Sequence, residues 1–183
     1  MSHIVLKTFL LSLLCACFSF AQTDLSGKPQ DPFHSAASVR VLLFVRTDCP
    51  ITNRYAPEIK RIAGEFSPKQ AEFWLVYPDR SETAAAIEAH IHDYQLPGTP
   101  LHDAQRVLVK RSLATVSPQA AVFDKTGKLV YSGRIDDRYA DYGKSRPEPS
   151  VHDLEDAIKA TLAGKPVAQR QTKAIGCYLS DLQ

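Results

Sequence analysis

The sequence predicts an α/β fold in which a central mixed β-sheet is flanked by helices on both faces. Three observations carry this. Apolar runs of strand length alternate with segments whose apolar residues recur at helical spacing. Two later runs are separated only by Asp124-Lys-Thr-Gly127, a turn that makes them an antiparallel hairpin. The first strong run, Val41-Leu-Leu-Phe-Val45, shows no polar alternation, the pattern of a central strand covered on both faces.

The chain has 183 residues, enough for one domain with a substantial core. Residues 1–21 carry a single charged side chain, Lys7, and an apolar run at 9–20 too short to span a bilayer comfortably. Ser19 and Ala21 are small residues where a signal peptidase reads. Residues 1–21 are therefore read as a signal peptide cleaved after Ala21, with export to the periplasm or beyond. An uncleaved anchor is one rival reading, and lipid attachment at Cys17 is another. Residues 22–37 form a polar lead-in holding Gly27, Pro29 and Pro32, with room for a short strand or turn.

Residues 39–45 are the first strand. From 50 to 66, Ile51, Tyr55, Ile59, Ile62, Ala63 and Phe66 recur at helical spacing, and Pro57 is expected to kink that helix. Residues 72–77 are the second strand, stopped by Pro78. A helix over 81–95 follows, with Ser81 expected as its N-cap. Residues 96–100 are read as a loop, and Asp103 is expected to cap a short helix that ends at Leu113. Strands at 119–123 and 128–133 make the hairpin, and 136–150 is a long polar loop. A last helix over 151–162, striped by Leu154, Ala157, Ile158 and Leu162, is ended by Gly164 and Pro166. The globular domain is thus 38–166, followed by a tail over 167–183.

Export removes Lys7 and lowers the formal charge from +2 to +1, so no basic field attracts nucleic acid. It also removes Cys15 and Cys17, leaving Cys49 and Cys177. In an oxidising compartment these two either form one disulfide or stay free and reactive. They lack zinc spacing, and no cofactor is expected. A membrane enters only through the N-terminal segment.

Cys49 follows the first strand and is followed at once by Pro50. Proline is tolerated in the first turn of a helix, where its missing N–H would be unpaired anyway. Cys49 is therefore expected at a helix N-terminus, where unpaired N–H groups and the helix dipole favour a thiolate.

With Ser117-Pro118 just before the hairpin, this element order resembles the thioredoxin superfamily. The resemblance implies a thioredoxin-like fold and a cis-proline at Pro118, lying against Cys49 and offering backbone to an extended thiol substrate. The runs Gly133-Arg-Ile-Asp-Asp-Arg-Tyr139, His152-Asp-Leu-Glu-Asp-Ala-Ile158, Leu162-Ala-Gly-Lys-Pro166 and Ile175-Gly-Cys177 are similar to exported bacterial redoxin-domain proteins. These are grouped with the alkyl hydroperoxide reductase and thiol-specific antioxidant (peroxiredoxin-like) family. The resemblance spans roughly residues 38–178 and implies thiol–disulfide exchange or peroxide reduction at Cys49, with a thiol or disulfide protein or a peroxide as substrate and an external thiol as reductant.

The chain departs from the family patterns. Thr52 stands where thioredoxin-type reductases carry a second cysteine, so no disulfide closes within the Cys-X-X-Thr segment. Arg46 and Leu42 stand where peroxiredoxins carry a hydroxyl residue and a proline, and their arginine before the hairpin strand is missing. Thr47 and Thr52 are candidates to supply hydroxyls, and Arg46 to favour the thiolate. Cys177 is the candidate resolving thiol, which requires its Cα to lie within about 7 Å of that of Cys49. The alternative is Sco-like copper handling by Cys49, Cys177 and His102, with Asn53 at the position of the second Sco cysteine. A non-catalytic redoxin-fold interaction module is the third reading. Asp136 and Asp137, with Arg134 and Arg138, are expected to form a solvated, salt-bridged loop. His90 and His92 fall on different sides of their helix, which argues against a shared metal.

Overall fold

The computed structural model describes residues 22–179. The calls on the signal peptide, its cleavage site and lipid attachment at Cys17 lie outside those residues. Two short strands, β1 (Gln22–Thr23) and β2 (Pro29–Gln30), and a 3₁₀ turn over Pro32–His34 come first among the described elements. Then come β3 (Val39–Phe44), α1 (Pro50–Glu65), β4 (Ala71–Tyr77), α2 (Ala84–Tyr94), β5 (Thr99–His102) and α3 (Val107–Ser112). The second half holds β6 (Val116–Ser117), the hairpin β7 (Gln119–Asp124) and β8 (Leu129–Gly133), a small hairpin β9 (Tyr139–Asp141) and β10 (Lys144–Ser145), α4 (Asp153–Leu162) and β11 (Cys177–Tyr178).

Seven strands form one mixed sheet in the order β2-β1-β5-β4-β3-β7-β8. Strand β3 is central, parallel to β4 and antiparallel to β7. Its side chains alternate between two separate cores, as the two-residue period of a strand demands. Val39, Val41, Leu43 and Val45 pack with Tyr55, Ile59 and Ile62 of α1, Ile87 of α2, and Leu154 and Ile158 of α4. Leu42 and Phe44 pack on the other face with Trp74, Leu101, Phe123 and Leu108 of α3. The unbroken apolar run is therefore explained by cover on both sides. A mixed sheet between helical layers is the thioredoxin-like architecture.

Several boundaries differ from the sequence reading. Helix α1 continues through Pro57 without interruption. The N-cap of α2 is Thr83, whose hydroxyl accepts from Ala86 N at 3.2 Å, while Ser81 bonds Asp79 in the preceding turn. Asp103 does serve α3: its two carboxylate oxygens accept from Val107 N at 2.9 Å and Val109 N at 3.0 Å. Thr99–His102, expected to begin as loop, is a strand held by β4 on one side and β1 on the other. The segment 136–150 contains the β9–β10 hairpin.

Asp136 and Asp137 are buried, at 1% and 6% exposure, which corrects the solvated-loop expectation. Asp136 accepts from the Tyr55 hydroxyl at 2.5 Å and Arg138 N at 2.9 Å. Asp137 accepts from the backbone N–H groups of Ser150 and Val151 and from the Ser150 hydroxyl, fixing the entry to α4.

The tail is ordered as a strap. It first runs parallel to β8, with Ser132 N donating to Arg170 O and Thr172 N to Ser132 O. It then crosses to β6, where β11 pairs antiparallel with Cys177 opposite Ser117 and Tyr178 opposite Val116.

Candidate redox site

The sequence around Cys49 builds a strand-to-helix junction with two backbone consequences. Extended φ and ψ angles of −87° and 110° make Cys49 the N-cap residue of α1, and Pro50 fills the first helical position. The sulfur sits beside the unpaired N–H groups of the first turn, which favour its charged form. Cys49 is fully buried, at 0% exposure, as are Thr52 and Ser117.

Ser117 and Pro118 are joined by a cis peptide bond. Ser117 O lies 3.0 Å from the Cys49 sulfur and accepts from the protonated thiol. The hydroxyls of Thr52 and Ser117 are 2.9 Å apart and lock the floor of the site. Cys177, on β11, places its sulfur 2.6 Å from that of Cys49 and donates its S–H to it. Both cysteines are free.

Burial opposes ionisation of Cys49, but the S–H of Cys177 and the backbone N–H and hydroxyl of Thr52 outweigh it and hold its pKa below the ordinary thiol range. Cys177 is pushed up to about 12, by burial first and then by the adjacent Cys49 thiolate that holds its proton. Of the two, Cys49 is therefore the more acidic thiol and Cys177 the one that holds its proton more tightly.

The strap is seated by features on both sides of Cys177. Ile175 is buried in the core beneath α1 and α4, and Leu179 in the core on the opposite face. Leu179 N donates to Thr115 O at 2.9 Å, and the Tyr142 hydroxyl donates to Gly176 O. Glycine is required at 176: a Cβ there would lie 2.2 Å from Ser117 O and 2.6 Å from its carbonyl carbon. Gly133 plays the same part upstream, since a Cβ would lie 2.1 Å from the Thr172 hydroxyl oxygen.

Cys49, Cys177, Thr52 and Pro118 converge, Arg46 lies near enough for its charge to favour the ionised form of Cys177, and Thr47 is directed elsewhere. Thr47 donates its N–H to the buried carboxylate of Glu82 at 2.6 Å, and its hydroxyl also bonds Glu82. Arg46 bonds the Asp48 carboxylate at 2.9 Å and Tyr178 O at 3.4 Å, so it grips the strap. The copper trio does not assemble. The His102 ring bonds Asp79 O at 2.9 Å, and the clustered metal-ligating side chains among the described residues are Glu58, His152 and Glu155. Arg61 already bridges the two carboxylates of that cluster.

Sequence reasoning missed Glu82, Ser117 and Gly176. Burial raises the Glu82 pKa, and the carboxylate supports the loop just before Cys49. It also missed the Tyr77–His90–Asn53 relay. There the Tyr77 hydroxyl and the Asn53 side-chain oxygen each lie 2.9 Å from a nitrogen of the His90 ring, tying α2 to the first turn of α1. The one available signal was position: Asn53 is one helical turn from Cys49.

A helix-capping cysteine against a cis-proline loop now meets a family match: residues 16–132 match the AhpC/TSA family. The chain belongs to the AhpC/TSA family. Among solved structures, this AhpC/TSA protein is similar to a hypothetical protein of Sinorhizobium meliloti, at 24% identity and a TM-score of 0.73. The match covers 87% of this chain and 89% of the other. An uncharacterized conserved protein of Geobacillus kaustophilus is 24% identical, with a TM-score of 0.72 and 87% of each chain covered. A secreted Mycobacterium tuberculosis disulfide oxidoreductase homologous to E. coli DsbE is 22% identical, with a TM-score of 0.52. That match covers 79% of this chain and 95% of the other. At these identities the likeness is one of fold, and the fold is thioredoxin-like. None of the curated proteins compared with the chain matches it.

Proposed function

We propose that this AhpC/TSA-family protein is an exported thiol–disulfide oxidoreductase in which Cys49 and Cys177 cycle between a dithiol and an internal disulfide. The observation that carries this reading is the 2.6 Å approach of the two sulfurs across 128 residues of sequence. The fold shared with a secreted disulfide oxidoreductase supports it. Export itself rests on the sequence of residues 1–21.

The Cys49 thiolate attacks one sulfur of a client disulfide, forming a mixed disulfide and expelling the other client sulfur as a thiolate that takes up a proton. Cys177 then loses its proton, attacks the Cys49 sulfur and releases the client as a dithiol. The adjacent thiolate is one cause of the high Cys177 pKa, so its conversion to a neutral disulfide eases that deprotonation. Thr52 fixes the Cys49 thiolate, and Pro118 shapes the face beside it. An external thiol reductant returns the Cys49–Cys177 disulfide to the dithiol.

The complete burial of Cys49 favours a second reading, reduction of a small peroxide. The thiolate attacks one peroxide oxygen, leaving a sulfenic acid on Cys49 and an alcohol or water. Cys177 then displaces water to give the same disulfide. Turnover of insulin disulfides and of hydrogen peroxide is to be measured for wild type, Cys49→Ser and Cys177→Ser. Loss of turnover in Cys49→Ser and accumulation of a Cys49 adduct in Cys177→Ser are expected. Undiminished turnover in Cys49→Ser would refute both readings.

A further inference from the structure

A cavity of about 510 Å³ lies at the end of the sheet away from the sulfurs. Its wall includes Ser38, just before β3, and Asp124, the last residue of β7. Cys49 follows the other end of β3, so six residues of strand, about 20 Å, separate the two places. Lys125, Lys128, Lys165 and Arg170 line the cavity, against the single carboxylate of Asp124. That carboxylate is engaged in its own turn, where Oδ1 accepts from Thr126 N, Thr126 Oγ1 and Lys128 N. None of the four cations has a described carboxylate within 4 Å, whereas Arg46, Arg61, Arg134, Arg138, Arg146 and Lys159 all do. The four come from three segments: the β7–β8 turn, the end of α4 and the start of the strap. Like charges brought together in a cleft repel one another and focus a field that an anion relieves.

The frame that carries these charges is fixed. Lys165 lies between Gly164, at a φ of 66°, and Pro166, which restricts the backbone of the residue before it. The Arg170 guanidinium donates to Leu129 O at 3.3 Å, and Arg170 O accepts from Ser132 N at 3.0 Å. The carbonyl end of α4, which would repel an anion, is capped: the N–H groups of Ala163, Gly164 and Lys165 donate to Lys159 O, Thr161 O and Ala160 O. Val130, Leu162 and Val167 add an apolar floor, half-buried against the core.

We infer that this cavity binds a small organic phosphate, its dianion among the four cations and a compact apolar body on Val130, Leu162 and Val167. One cation suffices for a carboxylate, whereas a dianion engages several, and the remaining guanidinium donors of Arg170 match phosphate oxygens. The volume is that of a small-molecule site. The cavity is remote from the disulfide cycle proposed above and does not depend on it.

Phenyl phosphate is to be titrated into the full chain by calorimetry, with amide chemical shifts followed by NMR. Binding of one molecule per chain, shifts confined to residues 124–130 and 161–170, and weaker affinity at higher salt are expected. Inorganic phosphate is expected to bind about tenfold more weakly, the factor that burying about 60 Å² of the phenyl face supplies. Lys128→Gln combined with Lys165→Gln is expected to weaken phenyl phosphate by at least about tenfold. Lys110→Gln combined with Lys144→Gln removes two exposed charges outside the cavity and is expected to change the affinity less than about twofold. Urea midpoints equal to that of the wild type show that both double variants fold. No binding by the wild type, equal losses in the two double variants, or shifts elsewhere on the chain would overturn the inference. Binding to phosphatidylglycerol vesicles without binding of phenyl phosphate would overturn it in favour of a membrane surface.

Discussion

Replacing Gly176 with alanine tests the role of the strap with the smallest available change. The added Cβ would lie 2.2 Å from Ser117 O, 2.6 Å from Ser117 C and 3.1 Å from Pro118 N. All three are backbone atoms of a buried loop and cannot swing aside. A carbon tolerates a carbonyl oxygen no nearer than about 3.3 Å, so the strap must lift by roughly 1 Å. Overpacking of this kind costs about 1–3 kcal/mol. The dithiol form can escape the strain by letting the strap detach. The disulfide form cannot, because the bond holds Cys177 at Cys49. The strain therefore weighs on the oxidised form, weakening the disulfide by up to about 5–150-fold. For a two-electron couple this raises the midpoint potential by about 20–65 mV. Wild type and Gly176→Ala are to be equilibrated in glutathione redox buffers, and the disulfide fraction read by alkylation and mass spectrometry. Gly64→Ala, where a Cβ meets nothing within 4 Å, serves as the control. A Gly176→Ala midpoint equal to that of the control would refute the account of how the strap positions Cys177.

Other perturbations reach neighbouring parts of the argument. Thr52→Val leaves the buried Ser117 hydroxyl without its partner and is expected to destabilise by about 1–3 kcal/mol in urea unfolding, while moving the pH midpoint of Cys49 alkylation upward. Cys177→Ala removes the S–H donor and is also expected to raise that midpoint, since the Cys49 sulfur loses a hydrogen bond that favours its charge. An unmoved iodoacetamide pH profile would contradict this. Burial raises Asp103 from 3.8 to about 6, so its ionisation destabilises the fold. The wild type is therefore expected to lose stability as pH rises from about 4 to 6, by up to about 3 kcal/mol from this group. Asp103→Asn should lack that slope in denaturation measured across the window. Gly133→Ala drives a Cβ into Thr172 and is expected to speed tryptic cleavage at Arg170 and Lys173 severalfold relative to wild type, a difference visible in timed digests.

What could be read in the sequence was local or carried by resemblance. The unbroken run at β3, the helical spacing of α1 and the Asp-Lys-Thr-Gly turn each reflect near neighbours, and each formed where expected. Cys49 before Pro50 placed the nucleophile candidate at a helix N-terminus without any tertiary information. Strand β5 was hidden because Pro97, Gly98 and Pro100 read as loop, and only pairing with β4 and β1 makes it a strand. The orientations of Thr47 and Arg46 depended on Glu82 and Tyr178, residues distant in sequence that no spacing rule connects. Asp136 and Asp137 looked solvated because their partners, Tyr55, Ser150 and Val151, arrive from other elements. The approach of Cys177 was the most remote of these facts. It depends on two absent methyl groups, at Gly133 and Gly176, whose meaning appears only once the opposing backbone is in place.

The same strap lies beside β8, the terminal strand of the seven-stranded sheet, where Arg170 and Thr172 take up both backbone groups of Ser132. A terminal strand with a bare row of N–H and C=O groups is a template for pairing with another molecule. The segment that delivers the second sulfur is thus also a guard against self-association. A chain shortened before residue 170 would lose its redox partner and acquire a sticky margin in a single cut, which joins solubility to redox competence.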